Sequence, residues 1–246
     1  MKLRPLPFGP QAVRVAQGFF DRMGFQLIDY RPPFSDVKDV ELYRPRFSPW
    51  LSEEWSVRLR AHDSRSLLPL HAKYILYCLA LDATRRCGGE LAECGVYKGG
   101  TAKVLAELVP DRPLHLFDTF SGMPETDPVR DLHKAGDFAD TTLDSVRAYL
   151  SGHANIRFVS GLVPQSLEVV AGRRFSFVHI DLDIYAPIKA ACEFFYPRLE
   201  RGGILLFDDY GYASCPGART AVDEFFADKP EVKIATVTGQ CSVQKL

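Results

Sequence analysis

The sequence predicts an α/β fold built on a doubly wound, mainly parallel sheet, preceded by a helical and irregular N-terminal extension. Two observations carry this. From residue 90 onward, short apolar runs of strand character alternate with stretches of helical periodicity, the pattern of βαβ units. Several of those runs, FSFVHI and ILLF among them, are nearly continuous Val, Ile, Leu and Phe, as expected of strands covered on both faces. Before residue 65 the pattern is absent.

The extension, residues 1–65, holds seven of the seventeen prolines before position 50, and both tryptophans, Trp50 and Trp55. Within it QAVRVAQGFFDRMG reads as an amphipathic helix, with Val13, Ala16, Phe20 and Met23 on one face and Gly24 as its stop. The Pro- and Arg-rich stretch 30–52 reads as irregular. The extension is either a packing arm, across its own domain or a second copy, or a lid over a substrate. The domain proper, residues 66–246, opens on a long buried helix in SRSLLPLHAKYILYCLALDATRRC, whose basic end suits a helix C-terminus and which Gly88 and Gly89 break. GELAECGV is the first strand and YKGGTAKVLAELV the helix after it. Then follow PLHLFD, a long loop, the helix TLDSVRAYL, the strand IRFVSG, a helical PQSLEVVAG, the strand FSFVHID, a helix through PIKAACEFFYPRL, the strand GGILLFDD and a helix over 217–227. The last segment, VKIATVTGQCSVQKL, reads as a hairpin turning at Thr238 and Gly239.

Composition removes several classes of function. The chain has 246 residues, with 30 Lys plus Arg against 31 Asp plus Glu, so bulk charge argues for neither a nucleic-acid nor a membrane partner. No apolar run approaches the roughly 18 residues that span a bilayer, and the first residues lack the apolar core of a secretory signal. Six cysteines at irregular spacing suggest reduced thiols of a cytoplasmic protein and not a disulfide frame or zinc site.

The chemistry concentrates where two strand-like runs end in acids: Asp181 and Asp183 in HIDLDIYAP, and Asp208 and Asp209 in LLFDDYG. In open α/β sheets ligands bind outside the carboxyl ends of the strands, so these acids are expected at one mouth. Like charges that close repel unless a cation sits between them. Oxygen-only donors indicate a hard ion, Mg²⁺ first and Ca²⁺ or Mn²⁺ as alternatives. Each acid also has an ordinary role available. Asp183 suits the cap of the helix near Pro187, Asp209 the cap of a turn, and Asp208 a pair with Arg219 or Lys189. His179, inside the apolar run, reads as a hydrogen-bonded core residue rather than a base. Lys189, Tyr185 and Tyr210 lie near the acids in sequence, with side chains unplaced.

The other ligand signal is the strand-to-helix turn ECGVYKGG, residues 93–100. It lacks GxGxxG: an acid, Glu93, stands before Gly95, and Tyr97 lies inside the turn. A carboxylate there suits a cofactor carrying an ammonium or sulfonium better than one carrying phosphates. Asp118 ends the next strand 25 positions after Glu93, where nucleoside-binding folds hold ribose hydroxyls; its alternative role is an Asx turn. Loop and acid together suggest S-adenosylmethionine. Two loops, 121–140 and 210–218, are placed to frame the site.

AECGVYKGGTA, LFDTFSGMP, HIDLDIYAP and LLFDDYGYASCPGARTAVDEFF, taken in order, resemble the macrocin-, mycinamicin- and noviose-type sugar O-methyltransferases over residues 66–246. The resemblance implies a class I, Rossmann-like methyltransferase fold with an antiparallel last strand, S-adenosylmethionine as donor, and magnesium engaging a sugar hydroxyl. It places Glu93, Cys94, Gly95, Val96 and Tyr97 at the cofactor's methionine end, Asp118 at the ribose with Ser121 and Gly122 nearby, and Gly161 and Leu162 beside the adenine, with Ser66 and Asp181 as further contacts. Asp181, Asp208 and Asp209 fall on the metal ligands and Asp183 on the general base, making Asp181 and Asp183 the catalytic pair. The acceptor is then a small-molecule hydroxyl, a glycoside by resemblance, and the active form an assembly of identical chains. Two other readings are a catechol-type enzyme, against which Ile184 stands where such enzymes carry lysine, and a nucleoside-binding protein without turnover.

Overall fold

The computed structural model describes residues 49–246 and position 19, and one compact unit runs Pro49–Leu246. Phe19 is helical; the rest of the helix expected around it, and the irregular stretch up to residue 48, lie outside the described residues. The sheet has seven strands: β1 (Glu90–Cys94), β2 (Leu114–Asp118), β3 (Ile156–Ser160), β4 (Phe175–Ile180), β5 (Leu199–Phe207), β6 (Lys233–Ala235) and β7 (Cys241–Gln244). Their order is β3-β2-β1-β4-β5-β7-β6. The first five strands run parallel, while β7 pairs antiparallel with both β5 and β6. The strand order reverses between β1 and β4, and that switch point opens the crevice at their carboxyl ends.

Within residues 49–246 the α-helices are α1 (Glu53–Arg60), α2 (Leu70–Arg86), α3 (Gly100–Leu108), α4 (Leu143–Tyr149), α5 (Tyr185–Phe195) and α6 (Pro216–Phe225). Successive strand residues face opposite sides, so each strand contributes to two apolar layers. One layer joins Phe117, Val178, Ile180, Leu205 and Phe207 to α5 and α6. The other joins Leu91, Leu116, Phe177, Ile204 and Leu206 to α2 and α3.

Two elements differ from the sequence reading. The long helix begins at Leu70, after Pro69 in extended conformation, because proline is accepted only at the first turn of a helix. Ser66 therefore lies in the connection before it, after a short turn at Asp63–Arg65. The segment Gln165–Val170 is a 3-10 turn and not an α-helix. The C-terminal hairpin forms as expected.

The close approach of β1 and β4 depends on Gly95. Its φ is +88°, and a Cβ there would lie 1.7 Å from the carbonyl oxygen of Asp181. The Asp181 amide donates to the Cys94 carbonyl at 2.8 Å, fixing the two strand ends side by side. Gly95→Ala is therefore expected to cost ~3 kcal/mol or more through strain and displaced backbone. Denaturant melts check this; a loss under about 0.5 kcal/mol, the ordinary surface range, would show that the junction yields.

Candidate active site

The crevice is a cavity of about 640 Å³. One wall is the turn after β1, where Gly95, Tyr97 and Gly99 all have positive φ. Asp118 organises this turn. Its Oδ2 accepts from the Val96 and Tyr97 amides at 2.7 and 2.9 Å, and its Oδ1 from the Phe120 amide at 2.7 Å. The Asx turn weighed from sequence is thus present. A carboxylate offers about four acceptor positions, so these bonds leave capacity for a ligand hydroxyl.

Of the residues expected around a cofactor, Ser66, Gly95, Val96, Tyr97, Asp118, Gly122, Gly161, Leu162 and Asp181 line the cavity. Ser121 is exposed and outside the wall. Cys94 and Glu93 are fully buried, behind the lining. Glu93 is not an open charge at the mouth, as its place in the sequence suggested. In register it faces His179 on β4, and its Oε1 lies 2.9 Å from His179 Nδ1. Glu93 Oε2 is buried with no hydrogen-bond partner.

His179 is the hydrogen-bonded core residue the sequence suggested, and it also links two acids. Its Nε2 lies 3.7 Å from Asp208 Oδ1, an electrostatic contact beyond hydrogen-bond range. Burial works against its charge, but the carboxylates of Asp208 and Glu93 outweigh that and raise its pKa to about 9. Asp208 Oδ1 also accepts from Gln240 Nε2 at 2.7 Å, and Gln240 Oε1 from Thr238 Oγ1 at 3.0 Å. The C-terminal hairpin thus fixes Asp208 from below, rather than Arg219 or Lys189.

Carboxylate oxygens of Asp181, Asp183 and Asp209 lie within 4.8 Å of one another. The sequence reading grouped Asp181 and Asp209 with Asp208 instead; Asp208 lines the same cavity, but its Oδ1 is engaged with Gln240. Burial, followed by the charges of Asp209, Asp208, Asp183 and Glu93, holds the Asp181 carboxyl well above its usual range. Burial and then Asp183 and Asp208 do the same to Asp209, and burial raises Asp183. Such a group binds protons or a cation, and its all-oxygen donors fit a hard divalent ion. Asp183 has φ +59°, and its amide donates to Asp209 Oδ2 at 2.9 Å, an acid-to-acid brace that replaces the helix-cap role weighed for Asp183.

That cap comes from elsewhere. Asp131, in loop 121–140, accepts from the Tyr185 amide at the first turn of α5 at 2.8 Å. The same loop brings His133 to 3.6 Å from Asp183 Oδ1, and loop 210–218 brings in Cys215, also 3.6 Å from that oxygen. Sequence reasoning did not single out these three residues, although both loops that carry them were expected to frame the site and Cys215 lies within LLFDDYGYASCPGARTAVDEFF. Tyr185, Lys189 and Tyr210 are engaged with α6, through Glu224 and Asp223, and stand outside the cavity wall.

The raised His179 pKa means that the folded state holds a proton the unfolded chain releases near the ordinary histidine value of 6.5. The resulting stability is complete below pH 6.5 and lost as pH rises through about 9, a loss of about 3 kcal/mol at most. His179→Ala leaves Glu93 buried and uncompensated, with an expected cost of about 3–5 kcal/mol near neutral pH and a flatter alkaline limb. Urea melts from pH 6 to 10 check both; parallel alkaline losses in the two proteins would mean that His179 is neutral in the fold.

Among the described residues no helix is long and apolar enough to cross a membrane. The fold is similar to solved structures titled as the O-methyltransferase NovP (TM-score 0.66, 22% identity, 74% of this chain and 82% of that one) and the calicheamicin methyltransferase CalS11 (TM-score 0.58, 20% identity, 97% and 94%). A tetracenomycin rhamnosyl 4'-O-methyltransferase from Streptomyces olivaceus is 27% identical over 165 residues, 61% of this chain and 62% of that protein. The mycinamicin III 3''-O-methyltransferase of Micromonospora griseorubida is 27% identical over 155 residues, 56% and 60%. The chain thus spans about three fifths of the length of the curated relatives it matches. The family model described as Macrocin-O-methyltransferase (TylF) matches residues 75–239, and the chain belongs to that family.

Proposed function

We propose that the protein transfers a methyl group from S-adenosylmethionine to a hydroxyl of a sugar or glycosylated small molecule, with a hard divalent cation at the acid cluster. The observation that carries this reading is a single cavity lined both by the glycine turn with Asp118 and by the mutually close Asp181, Asp183 and Asp209. Relatives named as a rhamnosyl-tetracenomycin 4'-O-methyltransferase and a mycinamicin III 3''-O-methyltransferase support the acceptor class, and a neighbour of the same fold solved with S-adenosylhomocysteine supports the donor.

The cofactor fits the residues present. The turn 95–99 gives close backbone approach, Asp118 retains acceptor capacity, and the orphaned Glu93 Oε2 behind the wall favours a cationic group nearby. S-adenosylmethionine supplies a methyl on a positively charged sulfur, open to in-line attack by an oxygen. A hard cation supplies a field that makes an alcohol proton easier to remove. Asp181 and Asp209 are the ligands common to the sequence reading and to the close group, whereas Asp208, the third ligand the resemblance implies, is not among the mutually close acids. Asp183 takes the acceptor proton. The two loops exclude water once cofactor is present.

S-adenosylhomocysteine release over a panel of deoxysugar glycosides and catechols, with magnesium or with chelator, tests the reading. Magnesium-dependent turnover of glycosides is expected, and turnover indifferent to chelator removes the metal from the proposal. Asp183→Asn is expected to lower kcat about 10²–10⁴-fold while leaving cofactor affinity unchanged; unchanged turnover would rule out its role as the base. Limited proteolysis within 121–140 is expected to slow when cofactor binds, and equal cleavage with and without it would contradict the closing role.

A further inference from the structure

We propose that His133, Asp183 and Cys215 form a second cation site, one for a tetrahedral, thiolate-accepting ion such as Zn²⁺, sharing only Asp183 with the acid cluster. The three residues come from the connections after β2, β4 and β5. His133 Nε2, Asp183 Oδ1 and Cys215 Sγ form a nearly equilateral triangle, each pair 3.6 Å apart. A tetrahedral zinc ion, with bonds of about 2.0 Å to nitrogen and oxygen and about 2.3 Å to sulfur, holds such atoms roughly 3.3–3.6 Å apart. The triangle is thus already the size of one face of a zinc tetrahedron.

The donors and their support fit as well. Nitrogen and sulfur donors select zinc-like ions over magnesium. His133 Nδ1 lies 3.1 Å from Asp137 Oδ2, the carboxylate-to-imidazole contact that fixes ring orientation in metal sites and leaves the other nitrogen's lone pair free. Asp137 is itself held by the Lys134 amide at 3.0 Å. Cys215 is buried, yet all three residues line the cavity, so the fourth coordination position opens onto it.

Binding breaks the Cys215 S–H bond, forms a sulfur–zinc bond and releases the proton to solvent, while His133 binds neutral and Asp183 ionised. An ion held there ties loop 121–140 to loop 210–218 and withdraws Asp183. Because the proposed function makes Asp183 the proton acceptor, zinc is then an inhibitor; that consequence, unlike the site itself, rests on the functional reading.

The full-length chain, stripped of metal, is titrated with Co²⁺ and then Zn²⁺, following thiolate-to-cobalt charge-transfer absorption and competition with a zinc chromophore. A charge-transfer band and its loss on adding zinc are expected. Cys215→Ser should abolish the band and Asp181→Asn should retain it. Asp137→Asn, which removes no ligand, should weaken zinc about 10–100-fold. The site is overturned by a missing band in the native chain, by a band that survives Cys215→Ser, by its loss in Asp181→Asn, or by unchanged zinc affinity in Asp137→Asn. Zinc inhibition persisting in Cys215→Ser would overturn the inhibitory consequence and leave the methyl-transfer reading standing.

Discussion

Mutual repulsion among acids is the constraint on which the rest of this structure depends. Asp181, Asp183, Asp208 and Asp209 stand at the ends of two adjacent parallel strands, with Glu93 one strand further along. Folding brings these charges out of water toward one another, which is unfavourable unless something positive or protic compensates. Much of the architecture around them supplies that compensation. His179 sits between Glu93 and Asp208 as a buried cation, Gln240 donates to Asp208, and the Asp183 amide donates to Asp209. The remaining repulsion falls on Asp181, Asp183 and Asp209, beside the cavity, where an ion would be useful.

This division explains why the acids are not equivalent. Asp208 faces inward to the hairpin and His179, so it links the sheet interior to the site. Asp209 faces its neighbours across the gap between β4 and β5. Asp183 lies at the meeting of three connections and is approached by His133 and Cys215 as well as by the other acids. The glycine turn is held independently, by Asp118 from β2 and by the absence of a side chain at Gly95. The cavity therefore has two separately braced walls that meet where Gly95 touches the backbone of Asp181.

Most of the sheet was legible because its signals are local. A continuous apolar run ending in acids marks a buried strand and also its carboxyl end, which is why Asp181 and Asp209 were placed correctly at one rim. Helix starts were less legible. Pro69 delays α2 by several residues, and the short QSLEVV segment tightens into a 3-10 turn. The burial of Glu93 was not legible because strand register, not sequence distance, decides that it faces His179. His133, Asp131 and Cys215 were marked only as members of the two loops expected to frame the site. Their neighbours at the site come from other connections, and a long loop without periodicity gives no indication of which side chains turn inward.

The central claim, that the acid cluster is built around a hard divalent ion, is tested most directly by magnesium titration of the unfolding temperature at pH 8 and at pH 5. The account predicts a saturable rise at pH 8, a smaller one at pH 5 where protons compete more strongly for the raised carboxyls, and none in an Asp181→Asn, Asp209→Asn double variant. An unfolding temperature indifferent to magnesium at both pH values, or an equal rise in the double variant, would contradict it.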